Sequence, residues 1–414
     1  MDLIKTIVLI TSGQPSANPR LVKEATALCK AGYDVKAIYV PISLWADKFD
    51  EQLFLNYPSI QFIKTGYHPQ QSSLSYKYAR VRRKILSVLS NHVGDKINLV
   101  DYSTILFGQE LLKEAKKHKA DLYIAHNLGA LPVAVKVAKM YGAKVGFDAE
   151  DFHRGEFADN SPEKFATKRI EDKYFKELNY LTVASPLIGQ VYSELFPNLS
   201  PVVINNVFKL DANLNNKPIV GKTDKLRIFW FSQFVGKNRG LETAIKALGE
   251  LKHLPIQLSL LGSITPALKD YFLQVASEAS RTNVSIHFIK PVQEDEIFRI
   301  AASHDIGLGA EVAYCENRDV CLTNKIFTYL LSGLALVLSD TKSQKLFLKE
   351  NKDVGLLYES NNYKSLAVAL ETYYNDRTLL KSHKENALKL AETKYNWDLE
   401  KYKFLKLVEA TLAS

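Results

Sequence analysis

Cys321-Leu322-Thr323-Asn324-Lys325-Ile326-Phe327-Thr328-Tyr329-Leu330-Leu331-Ser332-Gly333-Leu334-Ala335-Leu336-Val337-Leu338-Ser339-Asp340 is the stretch that decides how the rest of the chain is read. Thr323 or Asn324 suits a helix N-cap, the apolar residues at 326, 327, 330 and 331 form one helical face, and Gly333 supplies a left-handed stop. Leu334 to Leu338 then reads as a buried strand. Lys325 falls in the first helical turn, where amide N–H groups lack partners and the helix end is already partly positive. A cation there is locally unfavourable unless an anion joins it, and a diphosphate would use the amides, the dipole and the ammonium together.

The same alternation of strand and helix runs through the chain in both directions. Thr6 to Thr11 is a strand, Ser12-Gly13-Gln14-Pro15 a tight turn, Asn18-Pro19-Arg20 opens a helix that Gly32 ends, and Asp34 to Val40 is the next strand. Helix is expected over Tyr102 to Lys117 and Gly129 to Tyr141, with strands over Ala120 to Ala125 and Ala143 to Asp148. A helix over Arg169 to Leu178, a short strand over Tyr180 to Ala184, an N-cap at Ser185 and a last strand over 201–206 complete the first half. Asp211 to Pro218 is polar, without period, and reads as a linker. The second half repeats the rhythm, with strands over Leu226 to Phe231, Ile256 to Leu261, Val284 to Phe288, Asp305 to Leu308 and Leu334 to Leu338, then turns helical beyond Asn362. The fold class is therefore α/β with two parallel sheets.

Two clusters of polar residues fall at the carboxyl ends of strands, where open parallel sheets bind ligands. In the first half these are Ser12 and Gly13 after one strand, His126 after another, and Asp148, Glu150 and Asp151 after a third, with His153 following. In the second half they are the loop Ser232-Gln233-Phe234-Val235-Gly236-Lys237-Asn238-Arg239-Gly240, whose glycines admit close backbone approach, and the segment around Lys325. The first turn has no Gly-x-Gly-x-x-Gly, so dinucleotide binding is not expected.

Composition bounds the class. The 414 residues are 46% hydrophobic, enough for two cores. No run of about eighteen apolar residues exists. Met1-Asp2-Leu3-Ile4-Lys5 enters a strand pattern and does not resemble a signal, so the expected compartment is the cytosol. Cys29, Cys315 and Cys321 have no metal-ligand spacing, and neither a disulfide nor structural zinc is expected. The net charge of +9 suits anionic partners. Its densest cluster, Lys77, Arg80, Arg82, Arg83 and Lys84, is interleaved with Tyr76, Tyr78, Ile85, Leu86, Val88 and Leu89. That pattern reads as a basic amphipathic helix, Lys77 to Leu89, able to rest on an anionic membrane surface. Nucleic acid is not expected as a partner.

The segment from Asn324 resembles the Asn-Lys-x-x-Glu-Tyr-x-x-x-Gly-x-x-Val motif of nucleotide-sugar glycosyltransferases of family 4. Asn18-Pro19-Arg20-Leu21-Val22-Lys23-Glu24-Ala25 resembles their Asp-Pro-Arg-Val-x-x-Glu-Ala opening. Tyr123 to Asn127 resembles their His-Asp segment, Phe147 to Asp151 their Tyr-Asp-x-His-Glu segment, and Arg239-Gly240 their cation-glycine segment. The resemblance implies the GT-B fold, two facing Rossmann-like domains that close over the donor. The first would span 1–206 and hold the acceptor, the second 207–394 and hold the donor, and a helix over 395–414 would cross back to the first.

It implies a retaining, metal-independent transfer of a sugar from a nucleotide diphosphate sugar, with no further cofactor, to a glycan or lipid-linked acceptor in polysaccharide biosynthesis. Catalytic roles would fall to His126, Arg239 and Lys325, and acceptor-side contacts to Asp148 and Asp151. Donor contacts would fall to Ser12, Gly13, Lys237, Asn324 and Thr328, and to Glu311 or Glu316. One departure stands out: counting back from Gly333 puts Thr328 and Val320 where the family has a pair of glutamates. A catalytically silent sugar-nucleotide-binding subunit and a nucleotide-sugar 2-epimerase are the alternatives on the same fold.

Overall fold

The computed structural model describes residues 4–42, 44–68, 70, 73–93, 99–210, 225–279 and 284–414; the expected linker, 211–218, lies outside the described residues. Contacts divide the chain into two units, residues 1–205 with 401–414, and residues 206–400. The last helix, Trp397–Ala413, thus begins in the second unit and ends in the first. Its end is tied there by a bond from the Lys5 ammonium to the Leu412 carbonyl, 2.8 Å.

The first unit is built on apolar runs without alternation, such as Ile7-Val8-Leu9-Ile10 and Leu122-Tyr123-Ile124-Ala125, all with no exposed surface. Such runs suit strands covered on both faces, as parallel strands are. Its strands are β1 (Thr6–Thr11), β2 (Asp34–Tyr39), β3 (Gln61–Lys64), β4 (Leu122–His126), β5 (Lys144–Ala149), β6 (Tyr180–Val183) and β7 (Val202–Val203). Among the described residues they pair in the order β3-β2-β1-β4-β5-β6-β7, every pair parallel. The order reverses between β1 and β4, so that Thr11 lies opposite His126 at the point where doubly wound sheets open a crevice.

The second unit repeats the plan with β8 (Leu226–Phe234), β9 (Ile256–Ser263), β10 (Ser285–Ile289), β11 (Ile306–Gly309), β12 (Ala335–Ser339) and β13 (Gly355–Tyr358). Its order is β10-β9-β8-β11-β12-β13, again parallel, with the reversal between β8 and β11. Trp230, Leu258, Leu308 and Val337 pack from the sheet against Ile245, Leu370 and Tyr373 from flanking helices.

Two helix expectations need correction. The single helix over Tyr102 to Lys117 is two, Val100–Ser103 and Gly108–Ala115, and Thr104 to Phe107 lies between them. The break has a packing cause. Ile105 presses onto Gly129, where a Cβ would overlap its side chain, and Phe107 sits against Gly66, where a Cβ would come within 2.9 Å. The helix expected from Arg169 begins earlier, at Pro162, behind Ser161, whose hydroxyl accepts the Lys164 amide at 3.1 Å. The strand expected over 201–206 narrows to Val202–Val203.

Candidate functional site

In the second unit, Thr323 is the N-cap and helix Asn324–Leu331 follows, so Lys325 stands in its first turn. The side chain is 9% exposed, and its ammonium lies 2.5 Å from Glu311 Oε1 and 5.9 Å over the Trp230 ring. Glu311 follows β11, at the reversal point. Its second oxygen lies 3.9 Å from the Arg318 guanidinium. Burial alone would raise the Glu311 carboxyl, but Lys325 first, then Arg318 and Arg239, hold it below the ordinary carboxylate range. Two cations therefore lie against one carboxylate, and a third, Arg239, is near enough to act on its charge.

The backbone at this edge is fixed by the residues that end the neighbouring strands. Ser339 and Ser360 donate to the Glu311 carbonyl at 2.7 and 3.3 Å. Arg239 donates to Ser232 Oγ at 2.7 Å. Gly240 beside it has φ of 72° and opens helix Leu241–Glu250. Any Cβ at Gly240 would run into the Ala310 carbonyl, so the loop after β8 can lie this close to the loop after β11 only with glycine there. Trp230 Nε1, Thr341 Oγ1 and Gln344 Nε2 are buried without hydrogen-bond partners on elements that end at this edge. Unsatisfied buried donors of this kind suit a polar ligand.

Other expected donor residues are placed differently. Lys237 is exposed and stacks over the Tyr271 ring at 3.8 Å. Glu316 is exposed at the start of helix Glu316–Val320, so Glu311 and not Glu316 is the carboxylate beside Lys325. Thr328 is buried and its hydroxyl bonds back to the Asn324 carbonyl at 3.3 Å, a use internal to the helix. Val320, at the other expected glutamate position, is buried as well.

In the first unit, Thr11 Oγ1 donates to Asn127 Oδ1 at 2.7 Å and accepts the Gly13 amide at 3.3 Å, which joins the ends of β1 and β4. Asn127 holds a left-handed φ of 70°. His126, expected at a strand's carboxyl end as a catalytic residue, is the last residue of β4 and has no exposed surface. Its Nε2 is 3.1 Å from Glu24, and its Nδ1 3.5 Å from Asp148 and 3.8 Å from Glu150, all out of hydrogen-bond alignment. Asp148 is likewise fully buried, with Arg20 taking both of its oxygens at 2.6 and 2.7 Å and Thr182 adding a third bond at 2.8 Å. The expectation of Asp148 as an acceptor-side contact thus meets a saturated carboxylate. Asp151 is half-buried.

Burial disfavours a charged imidazole, but Glu24, Asp148 and Glu150 outweigh it and keep His126 protonated well above the usual histidine range. Burial likewise opposes the Asp148 charge, and Arg20 outweighs it and holds that carboxyl far below the usual value. Glu24, His126 and Asp148 lie close enough to share one ion. Arg20 already occupies the Asp148 oxygens, however, so guanidinium and imidazolium meet the negative charge here.

No family model matches the chain, and no curated protein matches it in sequence. Solved structures do match in shape. The Anabaena protein HepE in complex with UDP and glucose is 13% identical at a TM-score of 0.70, over 98% of this chain and 100% of that one. A glycosyltransferase from Rickettsia africae is 14% identical at 0.69, over 99% of each. A putative UDP-N-acetylglucosamine 2-epimerase from Listeria monocytogenes is more distant, 9% identical at 0.58 over 99% and 97%. The chain has the GT-B fold.

Within this GT-B chain, sequence reasoning missed Arg318 and the pairing of Arg20 with Asp148, which lie 128 residues apart. Arg318 could have been noticed from the short acidic-basic run Glu316-Asn317-Arg318-Asp319; the Arg20 pairing has no local signal. Among the described residues no helix is long and apolar enough to cross a membrane.

Proposed function

We propose that the chain is a retaining glycosyltransferase that moves a sugar from a nucleotide diphosphate sugar to an acceptor hydroxyl, in polysaccharide, glycan or lipid-linked oligosaccharide synthesis in the cytoplasm. The observation that carries the reading is the pair Lys325 and Arg318 against Glu311, with Arg239 acting on its charge, at the reversal point of the second sheet. In the reaction the bond from the anomeric carbon to the diphosphate oxygen breaks, the acceptor oxygen bonds to that carbon, and the acceptor proton leaves with the diphosphate. The barrier lies in the charge on the leaving group. Lys325, Arg239 and the free amides of helix Asn324–Leu331 stabilise it, so the reading requires no metal.

The second unit is then the donor domain, with Glu311 the group for the sugar hydroxyls, and the first is the acceptor domain. His126, enclosed by carboxylates, acts there as a positioning residue beneath the edge. Helix Ser73–Val93 rests on an anionic membrane surface.

A second reading is favoured by one observation: Thr328 spends its hydroxyl inside its own helix, where the family has a glutamate. On that reading the chain binds a sugar nucleotide and transfers nothing. Release of nucleotide diphosphate separates the two, since a transferase releases it when acceptor is supplied, a 2-epimerase converts donor alone, and a silent subunit does neither.

The direct test is thermal unfolding with UDP, GDP and ADP, since a ligand bound only by the folded state raises the melting point by mass action. One nucleotide, UDP first among them, should stabilise the protein, and Lys325→Ala should remove most of that shift while leaving the ligand-free fold intact. An unchanged shift in the variant would take Lys325 out of the site.

A further inference from the structure

A cavity of about 520 Å³ opens in the first unit beside the ends of β1 and β2. That volume is in the range of small-molecule sites. Its walls divide by chemistry. Ile42, Ile105 and Phe107 are apolar, whereas Arg80, Arg83 and Thr104 are polar, and Ser12 of the β1 turn reaches it as well. Thr104 Oγ1 is buried there without a hydrogen-bond partner. Among the described residues neither arginine has an acidic partner, whereas Arg82 between them is turned inward and held by Glu110 at 2.7 and 3.0 Å. Two unpaired guanidiniums and a free hydroxyl facing an apolar wall suit a phosphate ester attached to something apolar.

The helix that supplies the arginines, Ser73–Val93, indicates where such a molecule would come from. Leu74, Tyr78, Val81, Ile85 and Val88 repeat at intervals of four and three, so they share one face, and all stand exposed, from 51% at Val88 to 81% at Leu74. Lys77, Arg80 and Lys84 flank that face, and the helix contains no acidic residue. The same spacing would serve a second copy of the helix, but pairing two copies would bring like charges together with nothing to offset them. An anionic lipid surface uses both the apolar stripe and its basic flank.

We propose that the cavity holds the phosphate-bearing head of an amphiphilic acceptor, which the helix Ser73–Val93 meets at the membrane surface. The proposal rests on the glycosyltransferase reading and names the acceptor class for it. Arg80, on the flank of the stripe and on the cavity wall, links the surface to the site.

The test uses the full chain and two probes. In isothermal titration, short-chain phosphatidic acid should bind about tenfold or more tightly than the matching phosphatidylcholine, and more tightly than inorganic phosphate or glucose 6-phosphate. Arg80→Gln/Arg83→Gln should lose that preference, while its ligand-free melting point and its UDP shift stay as in the unaltered protein. In sedimentation with phosphatidylcholine vesicles, adding phosphatidylglycerol should bring the protein down. Val81→Asp/Ile85→Asp should abolish this and leave short-chain phosphatidic acid binding intact. Equal binding of inorganic or sugar phosphate, or unchanged binding by the arginine variant, would overturn the proposal and leave the transferase reading standing. Binding of the amphiphile with no nucleotide shift in the unaltered protein would overturn the acceptor role itself.

Discussion

The two sheet edges of this chain are built alike and charged differently. At the reversal point of the first sheet, Arg20 and His126 face Glu24 and Asp148, all at or near zero exposure, with the less buried Glu150 3.8 Å from the ring; burial and Asp148 push the Glu24 carboxyl up, which softens the negative side of the set. At the reversal point of the second, Lys325 and Arg318 lie against Glu311 and Arg239 acts on its charge from nearby, three cations about one carboxylate. At the first edge the charges come close to cancelling, so little excess is left to draw an anion in, and the bonds from Arg20 and Thr182 to Asp148 tie helix Pro19–Lys30, β5 and β6 together. The second carries an excess of positive charge in a partly desolvated site, which is the condition for binding an anion and not merely for folding. The same topology thus gives a strut in one unit and a socket in the other.

The sharpest way to break this contrast is to remove one member of the balanced set. Arg20→Leu would strand Asp148 as a buried charge, and breaking such a pair costs about 3–5 kcal/mol. A loss of that size in urea unfolding would mark the first edge as a strut, whereas a change below about 1 kcal/mol would mean that water or His126 already supports Asp148. The matching Lys325→Ala should cost far less stability, since Glu311 keeps Arg318 and Arg239 nearby.

The balance also predicts a pH dependence with a definite sign. His126 is held above its unfolded value of about 6.5, so its contribution is fully present below that pH and is lost as pH rises through the folded value. Stability of the first unit should therefore decline above about pH 6.5, by about 1.4 kcal/mol for each unit by which the folded value exceeds the unfolded one. The groups that act on the ring are Glu24 on helix Pro19–Lys30, Asp148 on β5 and Glu150 after it; Arg20 and Tyr180 act on Glu24 and Asp148 in turn. His126→Gln should flatten the dependence in denaturant midpoints measured across this range. A slope unchanged by the substitution would assign it to another group, such as His153, held up to about 9 by Glu156 against its burial.

The contrast also explains which parts were legible in the sequence. Lys325 was readable because everything that places it is local: the cap, the apolar face and Gly333, whose φ of 65° ends the helix. Arg239-Gly240 was readable because a glycine needed for close approach leaves a mark beside the cation it positions. Of the strut, His126 and Asp148 were readable as neighbours because each lies at the carboxyl end of a strand, whereas Arg20 and Glu24 come from a helix and nothing near them names their partners. Likewise the break at Thr104 to Phe107 is set by contact with Gly66 and Gly129, far off in sequence, and that break supplies a wall of the cavity beside β1.

The smallest expected effect probes the socket itself. Without ligand, Glu311 is the anion that Lys325 holds, so a diphosphate must share the ammonium with that carboxylate or draw it away. Glu311→Gln keeps the shape and removes the charge. UDP should then bind somewhat more tightly, by roughly 1 kcal/mol or about fivefold, while the ligand-free protein melts lower because a buried ammonium has lost its partner. If Glu311 also holds the donor sugar, the UDP-sugar gains less than UDP or binds more weakly, and the ratio of the two constants isolates that role. Weaker binding of both would mean that Glu311 aims Lys325 at the diphosphate. In that case the carboxylate belongs to the socket's frame, and the excess of positive charge, rather than any displaced anion, is what draws the ligand in.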